Sequence, residues 1–184
     1  MHITFQPEQI LYHGTIDIYA QVIEKFGIDI IRRKNGGVDF GPGFYVTVGK
    51  KEQAIGWAKN KALNPTYSKD ALEKIGMTFA DFSSIKDKVF PVIISYKIKE
   101  PEAWLELRHK VFISNDANWK RFVWLGRQLT DPLEEYDWIF GPVADGGVYG
   151  RTSNGIIALD GYNQLAVHNK EIASMLELLE VKSC

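Results

Sequence analysis

The chain has 184 residues, of which 45% are hydrophobic and 24% charged, and this balance predicts one soluble domain with a sizeable core. The formal net charge of −1 excludes a global basic field, so a nucleic-acid target would have to meet a local patch. A single cysteine excludes an internal disulfide, and the absence of an apolar run or signal peptide predicts a cytoplasmic protein without membrane contact.

The first predicted strand covers residues 10–15 (ILYHGT) and ends in a polar tip. In this tip His13 offers two ring nitrogens, Gly14 permits close approach to the backbone, and Thr15 is a plausible helix cap. Apolar residues recurring every four positions predict a helix over 17–26, with Thr15 or Asp17 as its N-cap. The tip has two interpretations: a capped turn with a locally bonded histidine, or a binding site.

A basic loop and a glycine-rich turn follow. The loop, with three basic residues at 32–34, is either a solvated turn or a phosphate contact. Gly41 and Gly43 flank a proline and predict a specific turn. The strand predicted over 44–48 then alternates, which puts Tyr45 on the face opposite its apolar residues, where a ring can stack on a flat ligand.

The remaining elements follow from periodicity. A helix over 50–63 ends at Asn-Pro, and 64–88 is expected to be an insertion with one or two short helices. A strand over 89–99 alternates throughout. Short pieces are expected at 104–107 and 111–113, strands at 137–143, 156–159 and 163–168, and helices at 115–128 and 169–179. Without repeats or linkers, residues 1–184 are predicted to form one domain.

Three separated motifs occur in order along the chain: LYHGT with His13, GFYVT with Tyr45, and NQLAVHN with Gln164. Together they resemble the ADP-ribosyltransferase superfamily in its diphtheria-toxin and PARP-like branch, which carries a His-Tyr-Glu signature on three strands. More narrowly, the chain is similar to a small bacterial, toxin-like family with LYHGT, DFG-x-GFYVT, QA-x-x-WA and D-x-I-x-GP-x-AD segments. Gln164 departs from the pattern, because it replaces the signature glutamate.

The resemblance implies an α+β fold, a split sandwich of two facing antiparallel sheets with helices around them. It covers most of the chain except 64–88. It also implies that NAD is the substrate. In the family the histidine bonds a ribose hydroxyl, the next glycine pairs with the nicotinamide amide, and the tyrosine stacks on the ring; these roles fall on His13, Gly14 and Tyr45. The implied NAD-binding set is completed by Thr15, Asp39, Phe40 and Gly43.

The resemblance further implies a mono-ADP-ribosyltransferase with catalytic residues His13, Tyr45 and Gln164, acting on an unidentified protein or nucleic acid. A toxin of this kind would have a neutralising antitoxin partner. The neutral Gln164 forfeits a charge that helps an oxocarbenium-like ribose form, a loss of about 10²–10³ in rate. Three outcomes stay open: slow transfer of a single ADP-ribose, charge supplied by another acid, or NAD binding without chemistry. Hydrolysis of NAD without an acceptor is a further alternative.

Candidates for that other acid are Asp39, Asp137 and Asp145. Asp145 lies in a glycine-rich loop, where a turn-stabilising role competes with a catalytic one. His109 and His168 have no supporting pattern and are interpreted as structural or surface residues. No group of residues has metal-ligand spacing, so no metal site is predicted.

Overall fold

The computed structural model describes residues 4–30, 37–129, 135–145 and 153–184. The strands are β1 Leu11–Ile16, β2 Phe44–Val48, β3 Pro91–Ile98, β4 His109–Val111, β5 Trp138–Asp145, β6 Ile157–Val167 and β7 Leu176–Ser183. The helices are α1 Asp17–Phe26, α2 Lys51–Leu63, α3 Lys69–Lys74, α4 Phe79–Ile85, α5 Pro101–Glu106, α6 Ala117–Gly126 and α7 Lys170–Ala173. Among the described residues no helix has the length and apolar content needed to cross a bilayer.

The strands form one seven-stranded sheet in the order β4-β5-β6-β2-β1-β3-β7. The α+β prediction is confirmed. The sheet is mixed rather than purely antiparallel, because β4 runs parallel to β5. The two halves, expected as separate facing sheets, are joined at the centre by only two residue pairs, Leu11–Val48 and Tyr12–Thr47.

Locally encoded elements lie close to their predicted bounds. Helix α1 and strand β2 have the predicted bounds, and α2 starts one residue later than expected. The predicted insertion contains the two short helices α3 and α4. The two strands predicted over 156–159 and 163–168 are the two ends of the single strand β6.

One predicted helix is wrong in its second half. The helix predicted over 169–179 ends at Ala173, and Leu176–Ser183 forms β7 instead. This segment pairs along nearly the whole of β3, so ladder hydrogen bonds outweigh its helix propensity. The piece predicted at 104–107 lies mostly in α5, which begins at Pro101 and buries Trp104 completely.

Helices α2 and α6 cover one side of the sheet, which we call the α2/α6 face. The packing residues are Ala54 and Ala58 of α2, and Trp119 and Val123 of α6. Tyr12 packs beside α2, and its strand partner Thr47 therefore lies on the same side. Because side chains alternate along a strand, Tyr45 also lies on this face, and it packs beside α6. The opposite face buries the larger core, including Leu11, Phe44, Val46, Tyr96, Trp104, Trp138, Leu165 and Val167.

Candidate functional site

A fork opens between β1 and β2 where their pairing stops, after Tyr12–Thr47. His13 is the next residue of β1, and its Nδ1 lies 2.7 Å from the carbonyl oxygen of Tyr45 across the fork. Because a carbonyl only accepts, Nδ1 must carry the hydrogen. The neutral ring therefore presents Nε2 as an acceptor, and it is held in place by stacking on Phe44 at 4.5 Å.

His13 is neutral over the physiological pH range. Burial of the ring, together with the positive charge of Lys61, lowers the pKa of His13 to about 3, against the opposing effect of the Tyr45 carbonyl. A neutral imidazole whose Nε2 is the acceptor nitrogen suits a hydroxyl donor such as a ribose hydroxyl.

Gly14 permits the close backbone approach expected from the sequence, but the approaching group is helix α2. A Cβ at this position would overlap the carbonyl oxygen of Ala54 and lie 2.9 Å from the Ala58 nitrogen. The Gly14 carbonyl accepts a hydrogen bond of 2.6 Å from the Lys61 ammonium. The glycine is therefore required for packing, and its carbonyl faces the fork.

Tyr45 joins the fork to the segment that precedes β2. Its hydroxyl donates to the carbonyl of Gly41 at 2.6 Å and accepts from the Phe40 amide at 3.0 Å. Its ring is partly buried on the α2/α6 face. His13 stacks on Phe44 of the opposite face, so the imidazole contacts the main chain of Tyr45 and not its phenol.

Gln164 lies on the α2/α6 face and belongs to a buried polar network with Asp39 and Arg127. Its Nε2 donates to the Asp39 carboxylate at 2.6 Å and to the Pro142 carbonyl at 3.1 Å. Asp39 also accepts from Arg127 Nε at 2.9 Å, from Arg127 Nη2 at 2.7 Å and from the Ala144 amide at 2.8 Å. Four donors thus surround this carboxylate, and a buried guanidinium balances its charge.

Two further residues of this segment that are expected to contact NAD, Phe40 and Gly43, make packing contacts. Phe40 is completely buried beneath α6. A Cβ on Gly43 would lie 2.9 Å from the Val167 carbonyl oxygen. Gly126 of α6 allows the backbone of Asp39 to approach, since a Cβ there would overlap the Asp39 carbonyl oxygen. These residues fix the segment that carries Asp39, and the glycines serve packing.

Thr15 is 2% exposed within β1, where it pairs with Val92. The prediction that it caps the following helix is wrong. The N-cap of α1 is Ile16, which makes no side-chain capping bond. The carboxylate of Asp17 accepts from the Phe90 amide at 3.2 Å, and this bond ties the start of α1 to β3.

The remaining candidate acids lie at opposite ends of β5. Asp137, just before β5, accepts from Arg108 Nη2 at 3.3 Å. Asp145 is exposed at the last position of β5, directly after Ala144. The basic residues 32–34 and the loop after Asp145, residues 146–152, lie outside the described residues.

The other two histidines described have structural roles, as the sequence predicts. His109 is exposed and stacks on Trp138 at 4.3 Å. His168 is buried, and its Nδ1 donates to the Pro42 carbonyl at 2.8 Å. In the described ranges no cluster of histidine, cysteine and acidic side chains could hold a metal ion.

Lys61 and Arg127 are the site residues that sequence reasoning missed. Lys61 follows Trp57 by one helical turn on α2, and Trp57 is 39% exposed, so an aromatic and a cation share one stripe beside the fork. The only local signal for Arg127 is that it follows a glycine at the end of a helix. Neither pattern identifies a binding residue without the fold.

Comparison with known proteins identifies a family but no activity. The sequence profile of a family described as "Protein of unknown function (DUF3990)" matches residues 9–181. The match runs from just before β1 into β7 and so includes the fork and the buried network. A search of curated proteins found no match.

Proposed function

We propose that this chain, which belongs to the DUF3990 family, is a mono-ADP-ribosyltransferase that cleaves NAD and transfers ADP-ribose to a macromolecular acceptor. The observation that carries the proposal is the fork between β1 and β2. There the Gly14 carbonyl binds Lys61 of α2, the Tyr45 ring packs on the α2/α6 face, and His13 is bonded across the gap to the Tyr45 main chain.

Each group at the fork suits one part of NAD. The Gly14 backbone offers a carbonyl for the nicotinamide carboxamide, and the partly exposed Tyr45 ring offers a surface for stacking. Trp57, which is 39% exposed and lies one helical turn before Lys61 on α2, offers a second aromatic surface. Nε2 of His13 is an acceptor for a ribose hydroxyl. Held this way, the nicotinamide is oriented for departure from an oxocarbenium-like ribose.

The charge that stabilises this ribose comes, in our proposal, from Asp145. Gln164 is neutral, and Asp39 is balanced by Arg127 with both of its oxygens bonded. Asp145 is chosen for its position: it is exposed and follows Ala144, whose amide binds the same Asp39 oxygen as Gln164. The substitution Asp145→Asn is expected to reduce turnover about 10²–10³-fold without weakening NAD binding.

The competing function is a silent module that binds NAD or ADP-ribose. The specific observation that favours it is the role of Gln164, whose Nε2 donates to Asp39 and Pro142 and so serves the network. Such a module would retain the contacts of the fork and lack the charge that chemistry needs.

Incubation with labelled NAD and a cell lysate tests both candidates. A transferase releases nicotinamide and labels an acceptor, and His13→Ala and Tyr45→Ala abolish both signals. The matched control is His109→Ala. His109 is exposed, and it contacts Leu107 and Trp138 rather than the residues of the fork. Nicotinamide release without a labelled acceptor would indicate an NAD glycohydrolase. Binding without release would favour the silent module, and absence of binding would reject every candidate.

A toxin role and an antitoxin partner follow from the same proposal. Expression in a bacterial cytoplasm is expected to inhibit growth, and the inhibition should disappear with His13→Ala. The acceptor and the partner would then be identified by the labelled product and by suppressors of the growth defect.

A further inference from the structure

The ammonium of Lys61 lies in the fork itself. The Ile10 carbonyl accepts from the Gly49 amide on the β2 side of β1, and backbone groups point the same way at every second residue. The carbonyl of Gly14 therefore also points toward β2, beyond the last β1–β2 pair. Lys61 Nζ reaches this carbonyl at 2.6 Å, although the residue as a whole is exposed on α2.

The backbone on both sides of this contact is fixed. Ala54 and Ala58, both completely buried, hold α2 against β1 at the position where Gly14 lacks a side chain. The ammonium can therefore leave the Gly14 carbonyl by rotation of the Lys61 side chain, without any movement of the helix.

We propose that the Lys61 ammonium competes with the nicotinamide carboxamide for the Gly14 carbonyl. This inference rests on the proposed function, because it takes that carbonyl as the carboxamide acceptor. A charged donor forms the stronger hydrogen bond, so a neutral amide must displace it at a cost. NAD and free nicotinamide bear the same cost, but NAD makes further contacts along the rest of the dinucleotide and nicotinamide makes none.

The consequence is weak binding of the reaction product, which has only the carboxamide and its ring with which to bind. Nicotinamide released at the fork is expelled when the ammonium returns to the carbonyl, so product inhibition is small. Lys61 thereby keeps the affinity for the nicotinamide fragment low, whereas NAD is still held by its contacts outside the carboxamide.

The test compares calorimetric binding of nicotinamide and of ADP-ribose by the full chain and two variants. Lys61→Met removes the competitor, and we expect about three- to tenfold tighter nicotinamide binding. ADP-ribose lacks the carboxamide, so its affinity should not increase. Lys59→Met is the matched control, because Lys59 is an exposed lysine of the same helix with no hydrogen bond to Gly14. It is expected to bind both ligands as the unaltered chain does.

The outcomes separate this inference from the proposed function. If ADP-ribose binds and Lys61→Met leaves nicotinamide binding unchanged, weaker or undetectable, the competition is rejected while the function stands. If neither NAD, ADP-ribose nor nicotinamide binds the unaltered chain, both are rejected. Tighter binding of nicotinamide by Lys61→Met alone supports the competition.

Discussion

At the scale of single residues, the network around Asp39 shows why position 164 carries an amide. Gln164 donates to a carboxylate that already accepts from Arg127 and from the Ala144 amide. A glutamate could not donate this bond while ionised. The amide is therefore matched to Asp39, which gives the choice of glutamine at this position a local structural reason.

The substitution Gln164→Glu is expected to destabilise the fold rather than to create activity. It puts a second carboxylate where a donor now lies 2.6 Å from Asp39, at a cost on the order of 2 kcal/mol in the free energy of unfolding. Repulsion by Asp39 raises the pKa of the new glutamate in the folded chain. The cost in stability should therefore shrink as the pH falls toward the unfolded-state pKa of this glutamate. Urea unfolding at several pH values measures this.

The matched control is the double variant Asp39→Asn with Gln164→Glu, which exchanges the amide and the carboxylate. It should be more stable than Gln164→Glu alone, because one carboxylate remains beside Arg127. Equal stability of Gln164→Glu and the unaltered chain across pH 5–8 would contradict the assigned network.

His13 makes stability depend on pH. Its folded-state pKa of about 3 lies below the ordinary 6.5, so between these values the unfolded chain binds a proton that the folded chain excludes. The stabilising contribution is complete above about pH 6.5 and is lost as pH falls toward 3. The expected slope from this residue is about 1.4 kcal/mol per pH unit.

The measurement is the pH dependence of urea unfolding for the unaltered chain and for His13→Gln, which does not titrate. The variant should have the shallower dependence between pH 4 and 6. Parallel curves would show that His13 keeps its ordinary pKa in the folded chain.

At the scale of elements, the sequence predicts what is encoded locally. Helix α1 and strand β2 were predictable from spacing within ten residues. Strand β7 was not, because its helix-compatible sequence pairs with β3, which lies about 80 positions earlier. The same limit applies to the site: Asp39 meets Arg127 and Gln164 across 88 and 125 positions, a distance that no local pattern spans.

Packing of β1 against α2 is tested by two alanine substitutions. Gly14→Ala overlaps the α2 backbone and should destabilise the fold by about 2–3 kcal/mol or more. Gly56→Ala lies in α2, where the added Cβ meets nothing within 4 Å. It should stabilise the fold by about 0.5–1 kcal/mol. Thermal or urea unfolding of both variants gives the comparison. A Gly14→Ala variant as stable as the unaltered chain would contradict the close contact.

At the scale of the whole molecule, a nearly divided sheet creates the proposed NAD site. The two halves share only two residue pairs, and α2 and α6 cover the same face on either side of the fork. Sequence motifs correctly indicated the strands that carry His13 and Tyr45. They could not indicate that Gly14 bonds Lys61 or that Tyr45 binds the preceding turn, because both contacts depend on how the halves meet.

Titration of the isotopically labelled chain with NAD, followed by NMR, tests the proposed site most directly. We expect saturable shifts of the Gly14 amide, the Tyr45 amide and the His13 ring, with little change at the exposed His109. Absence of shifts at millimolar NAD, or shifts confined to residues away from the fork, would contradict the proposed function.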